Sequence, residues 1–201
     1  NQSDRANSLD FKVRLRAESS TSPRVAFGLR DLGGTGLFSS EYLVASKRWG
    51  KWDTSLGIGW GYMGSRGNIK NPFSVLSDRF GKRPAPATVQ GGTPSTQTWF
   101  HGPTALFGGV QWQSPGSPWT FKLEVDGNDY QHEPQGNNQP TRSPINLGLT
   151  YAYSPNIDFS LAYERGSQLM LGFSFHGGLN RLYSPKLLDP AAPKVLAAIP
   201  G

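Results

Sequence analysis

The stretch LRDLGGTGLFSSEYLVASKRWGKWDTSLGIGWGY, residues 29–62, decides the fold of this chain. In its second half, Leu56, Ile58, Trp60 and Tyr62 occupy alternate positions, and serine and glycine fill the positions between them. An alternation with period two predicts a β-strand that has one large apolar face and one face nearly bare of side chains. An apolar outer face over a small, polar inner face is typical of a strand that crosses a membrane within a β-barrel.

The same alternation recurs along the chain and predicts about nine antiparallel strands. They begin near residues 9, 25, 42, 53, 104, 119, 145, 157 and 169. Short connections (18–23, 50–52, 114–117 and 154–156) alternate with longer ones (31–40, 63–103 and 127–144), and only 165–167 is short where a long one is due. Outer-membrane barrels have short turns on one side and long loops on the other. The sequence therefore predicts an all-β, up-and-down transmembrane β-barrel, or part of a larger one.

An odd number of strands predicts that further strands lie outside this sequence, because single-chain bacterial barrels have even strand numbers. We interpret residues 1–176 as the barrel segment and the Pro-rich residues 177–201 as a linker towards a missing C-terminal part. Residue 1 is not Met and no signal peptide follows, so we expect the gene to begin upstream. We expect 63–103 to be a mostly irregular extracellular loop and 127–144 to be a second long loop.

Composition excludes several classes of protein. The 201 residues include no Cys, so disulfides and thiolate metal sites are excluded within this sequence. No run of eighteen apolar residues predicts a membrane-spanning helix. The net charge of +6 would suit nucleic acid, but the Lys and Arg residues are dispersed and no nucleic-acid motif accompanies them. We predict no nucleic-acid partner.

Several motifs carry a resemblance to a known family. They are GLRDLGGTGLFSSEYLVASKR (28–48), LGIGWGYMG (56–64), FKLEVDGNDYQHEP (121–134) and LAYERGSQLMLGFSF (161–175). Together they resemble the YjbH/GfcD family of outer-membrane exopolysaccharide and capsule biosynthesis proteins. The resemblance implies a location in the outer membrane of a Gram-negative bacterium. It also implies a role in polymer secretion or assembly, as a conduit or binding platform, alongside other secretion proteins.

Catalytic chemistry finds little support in the sequence. His101, His132 and His176 have no metal-ligand spacing to one another or to acids. Glu124 and Asp126 could act as the paired carboxylates of a glycosidase, but neutralising Lys and Arg across strands is the interpretation we favour. We predict no enzyme activity, no catalytic residue, no metal site and no cofactor.

The candidate binding residues form two groups. The residues predicted to face a polar lumen are Lys12, Arg14, Arg16, Lys122, Glu124 and Asp126. The loop residues are Arg79, Lys82 and Arg83, which would attract acidic exopolysaccharide or lipopolysaccharide phosphates, and Trp99 and Phe100, which could stack on sugar rings.

Two alternatives remain open at this stage. A soluble β-sandwich that binds carbohydrate would also explain the strands and the loop aromatics, provided that the apolar faces are sealed in a core. An outer-membrane enzyme acting on lipid or polysaccharide is the other alternative.

Overall fold

A computed structural model describes residues 8–85 and 96–177, and they form one antiparallel sheet. Each strand pairs with its neighbours in sequence, in the order β1 to β9. The strands are β1 Leu9–Arg16, β2 Arg24–Leu32, β3 Ser40–Trp49, β4 Trp52–Gly61, β5 Thr104–Gln113, β6 Trp119–Val125, β7 Ile145–Ser154, β8 Ile157–Glu164 and β9 Gln168–Phe175. The predicted all-β, up-and-down order of nine antiparallel strands is confirmed.

The predicted closure into a barrel is not seen. Within the described residues β1 and β9 do not pair with each other, so both are edge strands of an open sheet. An edge strand has a row of backbone groups without partners in the sheet. In the same part of the chain, no helix is long and apolar enough to cross a membrane.

The strand register gathers the large apolar side chains on one face, which we term the apolar face. Phe27 lies opposite Leu43, Leu43 opposite Ile58, and Ile58 opposite Leu106. The same register continues through β6 to β9, where Leu149 pairs with Leu161 and Leu161 with Leu171. Many of these side chains are exposed, among them Phe11, Leu56, Phe121, Leu147, Phe159 and Leu171. The burial of apolar side chains that normally stabilises a sheet is therefore largely absent from this face.

The opposite face, which we term the polar face, has aromatic rings lying over glycine. Gly28 pairs with Tyr42, and Gly57 pairs with Phe107. A Cβ atom at either glycine would lie 2.3 Å from the neighbouring ring, which is far closer than van der Waals contact. The bare position predicted at Gly57 in β4 is thus filled by the Phe107 ring of the adjacent strand.

The two ends of the sheet differ in their connections. At one end, which we term the turn end, short turns join the strands and large aromatic residues cluster. Trp49 pairs with Trp52, and Trp52 pairs with Trp112. The Trp119 ring lies 4.6 Å from that of Tyr151. A belt of Trp and Tyr is typical of the water–lipid boundary of a membrane protein.

At the other end, the loop end, the connection between β4 and β5 folds onto the apolar face. It contains the 3-10 helices Tyr62–Gly64, Pro72–Val75, Asp78–Gly81 and Thr96–Thr98. Phe73 lies 5.6 Å from Trp60, 5.4 Å from Phe100 and 5.6 Å from Phe80, measured between ring centroids. This aromatic cluster buries Trp60, which belongs to the apolar face of β4. The most tightly packed part of the apolar side therefore lies at the loop end.

A buried ion pair joins this connection to β3. Glu41 stands in register between Leu29 and Trp60 on the apolar face, and it is only 1% exposed. The Arg83 guanidinium donates hydrogen bonds to both of its carboxylate oxygens, at 2.8 and 3.0 Å. The backbone N–H of Phe100 donates a third, at 2.9 Å. Charge-assisted pairs with two parallel hydrogen bonds are the strongest polar contacts in proteins.

The side chain of Asn71 closes the same connection. Its amide nitrogen donates to the carbonyl oxygens of Phe80 at 2.7 Å and Phe100 at 2.9 Å. Its amide oxygen accepts from the backbone N–H of Phe73 at 3.0 Å and from the Trp60 indole at 3.2 Å. One buried amide therefore fixes three segments of the connection against β4.

We expect the substitution Glu41→Ala to release this connection from the sheet. It leaves the Arg83 guanidinium buried without its counter-charge, which costs roughly 3–5 kcal/mol of unfolding free energy. Limited trypsin digestion should then cleave faster after Arg79 and Lys82, and the thermal unfolding midpoint should fall.

The matched control is Asp53→Ala, which removes the exposed ion pair with Arg48 (3.2 Å). An exposed pair contributes about 0–1 kcal/mol. If Glu41→Ala and Asp53→Ala changed the rate of trypsin cleavage and the thermal unfolding midpoint equally, the Glu41–Arg83 pair would not be what holds the connection on the sheet.

Candidate functional site

Two adjoining cavities form a groove on the polar face, which we term the polar groove. The cavity nearer the loop end has a volume of about 330 Å³ and the other about 200 Å³. They share Glu124 of β6 and Asn146 of β7, which are paired in the register. The larger cavity is at the lower end of the range for small-ligand pockets, roughly 300–1,000 Å³.

The floor of the groove is backbone-rich. Gly109 on β5 and Gly148 on β7 have no side chains to fill it, and Gly127 follows β6 at the loop end. The side chains that reach into it are mostly carboxylates, amides, hydroxyls and phenols. They come from Tyr62, Asp126, Asn128 and Tyr130 in the larger cavity and from Lys122, Thr150, Ser160 and Glu164 in the smaller one. Such a surface can donate hydrogen bonds to a ligand rich in hydroxyl groups and accept hydrogen bonds from it.

Two tyrosines at the loop end are fixed by carboxylates. The Tyr62 hydroxyl donates to the Glu133 carboxylate, whose oxygens lie 2.8 and 2.9 Å away. The Tyr130 hydroxyl donates to Asp126 Oδ2 at 2.5 Å. Burial, followed by the hydrogen bond to Glu133, raises the pKa of Tyr62 to about 12. Burial and the hydrogen bond to Asp126 likewise raise the pKa of Tyr130. Both phenols therefore remain protonated at neutral pH and act as donors.

The loop that carries these groups is tied down by its own polar contacts. Arg66 donates from Nε to the Asp126 carbonyl at 3.0 Å and from its terminal nitrogen to the Asn128 carbonyl at 2.8 Å. Asn128 is buried, and its amide oxygen accepts hydrogen bonds from the Ser65 hydroxyl and the Tyr130 backbone N–H. The guanidinium of Arg165 lies over the Tyr130 ring, 5.0 Å from its centroid. These contacts fix the rings and carboxylates before any ligand binds.

Charge is divided unevenly over the polar face. The groove has more acids than bases, since Glu124, Asp126 and Glu164 stand against Lys122 and Arg30. The strands β1 and β2 are basic instead. Their cationic side chains on this face are Lys12, Arg14, Arg24 and Arg30, and Asp10 of β1 lies 3.6 Å from Arg30. The polar face therefore has a cationic strip on β1 and β2 beside the polar groove.

The predicted lumen residues do not all share one surface. Lys12 lies opposite Gly28 and Arg14 opposite Ala26, so both extend over small residues of the polar face. Lys122 and Glu124 project into the groove, and Asp126 is held by Tyr130 at its loop end. A bulge separates Arg14 from Arg16, which pairs with Val25 and does not continue the row.

The predicted loop residues separate into two kinds. Arg79 and Lys82 are exposed. Arg83 is paired with Glu41, and Phe100 packs among the rings of Trp60 and Phe73, so the contacts of these two are internal. Trp99 is half-buried beside the connection between β2 and β3. The role of Trp99 and Phe100 as sugar platforms stays a prediction.

Sequence reasoning missed the two tyrosines and Asn146. Tyr62 was assigned to the apolar alternation of β4, but the strand ends at Gly61 and a 3-10 helix turns Tyr62 towards the polar side. Its partner Glu133 is 71 positions away, so no local pattern could have paired them. The GNDYQHEP segment belongs to one of the motifs quoted above, and its Asn–Asp–Tyr core supplies contacts that shape the site.

The raised pKa of Tyr62 predicts a pH-dependent stabilisation. Because the folded-state value of about 12 exceeds the ordinary value of 10, the contribution is complete below pH 10 and is lost as the pH rises through 12. The unfolding free energy of Tyr62→Phe should lie about 1–2 kcal/mol below that of the parent at neutral pH. This difference in unfolding free energy between the two proteins should become smaller as the pH rises towards 12, because the Tyr62 hydroxyl then loses its proton. Thermal unfolding of both proteins over a pH series measures this.

The control is Tyr153→Phe, which alters an exposed residue of the turn end and should cost little. A gap that stays constant up to and beyond pH 12 would contradict the hydrogen bond between Tyr62 and Glu133.

The described geometry can be set beside known proteins. The YjbH family model, described as "Exopolysaccharide biosynthesis protein YbjH", matches residues 1–200. A lipoprotein named YjbH from Escherichia coli (strain K12) is 44% identical over 193 residues. That alignment covers 96% of this chain and 27% of the relative, so the chain spans about a quarter of the relative's length. No solved structure matches. The match over almost the whole length shows that this chain belongs to the YjbH family of exopolysaccharide biosynthesis proteins.

Proposed function

We propose that this chain forms part of the wall of an outer-membrane β-barrel that binds exopolysaccharide during its secretion or assembly. The apolar face contacts lipid, and the polar face with its groove contacts the polymer. The observation that carries the proposal is the separation of the two faces, which the register maintains across all nine strands.

Lipid contact is supported by what covers the apolar face. A soluble sandwich requires a second layer over its apolar residues. In the described residues only the loop end is covered, while Leu56, Leu147 and Leu171 on the same face are exposed. The tryptophan-rich turn end supplies the aromatic residues that favour a lipid boundary. The E. coli relative is named a lipoprotein, which fits a protein of the cell envelope.

Polymer contact is supported by the chemistry of the polar groove. Carboxylates and amides that bind hydroxyl groups line a cavity with glycine in its floor, and two protonated phenols stand at one end. The cationic side chains of β1 and β2 would attract acidic groups of the same polymer. We expect binding and guidance of polymer, without bond cleavage, in concert with other secretion proteins.

The double substitution Glu124→Ala with Asn146→Ala tests the groove in the full-length parent. Both side chains line the two cavities, and losing two hydrogen bonds worth about 1 kcal/mol each weakens binding roughly thirtyfold. We expect secreted polymer to fall while the amount of protein in the outer membrane is unchanged. Binding of oligosaccharides from the same polymer should weaken in parallel.

The matched control is Gln113→Ala, at the turn end of the same face of β5 and outside both cavities. If the double variant secreted as much polymer as the parent, the claim that the polar groove binds the polymer would be contradicted. Recovery of the parent protein in the soluble periplasm would contradict the proposed barrel.

A further inference from the structure

Two aliphatic residues project from the connection between β4 and β5 at the loop end. Val75 is 89% exposed and Leu76 is 76% exposed. Val75 ends the 3-10 helix Pro72–Val75, and Leu76 follows it before the 3-10 helix Asp78–Gly81. We term these two residues the aliphatic tip. Moving two such exposed aliphatic side chains from water into an apolar environment outside the chain lowers the free energy.

The backbone around the tip is held in place. Asn71 caps the first 3-10 helix by accepting from the N–H of Phe73, and the N–H of Leu76 donates to the Phe73 carbonyl at 2.9 Å. The Phe73 ring points the opposite way, into the aromatic cluster with Trp60. Because the Phe73 ring is anchored in the aromatic cluster, the side chains of Val75 and Leu76 are left on the outer surface of the connection.

The tip stands on the side of the sheet that bears the apolar face. Trp60 and Glu41 both belong to that face, and they hold the connection through Asn71 and Arg83 respectively. A membrane that covers the apolar face would therefore end at the height of this connection, where the headgroups of the lipids lie.

Cationic residues flank the aliphatic tip in the sequence. Lys70, Arg79 and Lys82 are exposed, and none makes an ion pair with another residue in the part of the chain that the structure describes. Asp78 is the one acid between residues 66 and 83. Arg83 is excluded from this group because Glu41 already neutralises it.

From these features we infer that the segment formed by residues 70–82 is a membrane-interface anchor for anionic lipid. Val75 and Leu76 enter the boundary between headgroups and acyl chains, and Lys70, Arg79 and Lys82 bind lipid phosphates. This combination of aliphatic residues with flanking cations is the pattern by which peripheral segments bind charged membrane surfaces. The inference rests on the proposed function in one respect, since it needs lipid at the apolar face.

The test uses the full-length parent protein reconstituted in vesicles, with an environment-sensitive fluorophore on single cysteines. The label is placed at Val75→Cys for the anchor, at Leu56→Cys for the apolar face of the sheet and at Ser55→Cys for the polar face. Brominated phosphatidylcholine, which quenches fluorescence inside the bilayer, reports the depth of each label. Vesicles of phosphatidylcholine alone are compared with vesicles that also contain phosphatidylglycerol.

We expect strong quenching at Leu56→Cys, quenching near the headgroups at Val75→Cys, and little at Ser55→Cys. Phosphatidylglycerol should increase the quenching at position 75. The triple substitution Lys70→Gln, Arg79→Gln and Lys82→Gln should abolish that increase and leave position 56 unchanged.

The outcomes separate the anchor from the proposed function. Quenching at position 56 without quenching at position 75 would overturn the anchor and leave the lipid-facing sheet intact. Quenching at position 75 that is indifferent to phosphatidylglycerol and to the triple substitution would overturn the lipid-phosphate part. Absence of quenching at both positions would overturn the anchor and the proposed barrel together.

Discussion

Side-chain alternation, kept in register from strand to strand, is the constraint on which this structure depends. A shift of one residue in any pairing would move a whole row of apolar side chains to the opposite face. Six of the eight pairings run without a register shift, so Leu43, Ile58 and Leu106 remain in one row. The three register shifts in the other two pairings, beside Leu9, Arg16 and Ser154, lie at the ends of strands. One face can then be apolar and the other polar without a second layer.

The loop end shows how a sheet with so little buried apolar surface gains a fixed shape. Within the described chain, the fully buried groups are few and include Glu41, Ser40 and Thr104. Polar contacts fix the loops to the sheet in place of buried apolar surface. The Glu41–Arg83 pair and the Asn71 amide attach the long connection to one face, while Arg66 and Asn128 attach another loop to the other. The groove and the aliphatic tip both depend on this polar framework.

The strands could be predicted from sequence because alternation is a local property. Five of the nine strands begin at the predicted residue, and the other four begin one or two residues earlier. The loops could not be predicted, because their contacts join distant residues. Phe100 meets Glu41 across 59 positions, and Tyr62 meets Glu133 across 71. One local signal was overlooked. The alternation of β3 places Glu41 in the row of Leu43 and Ala45, and a carboxylate on an apolar face requires a buried partner.

The central claim is that this sheet separates lipid from a polar interior. The most direct test is a cysteine scan of Trp119–Val125 in the full-length protein within native outer membranes, using a water-soluble maleimide. The account predicts labelling at Thr120, Lys122 and Glu124 and protection at Phe121, Leu123 and Val125, with the protected positions quenched by bromolipid after reconstitution. Labelling of consecutive positions without alternation, or protection of the apolar positions without lipid quenching, would contradict it.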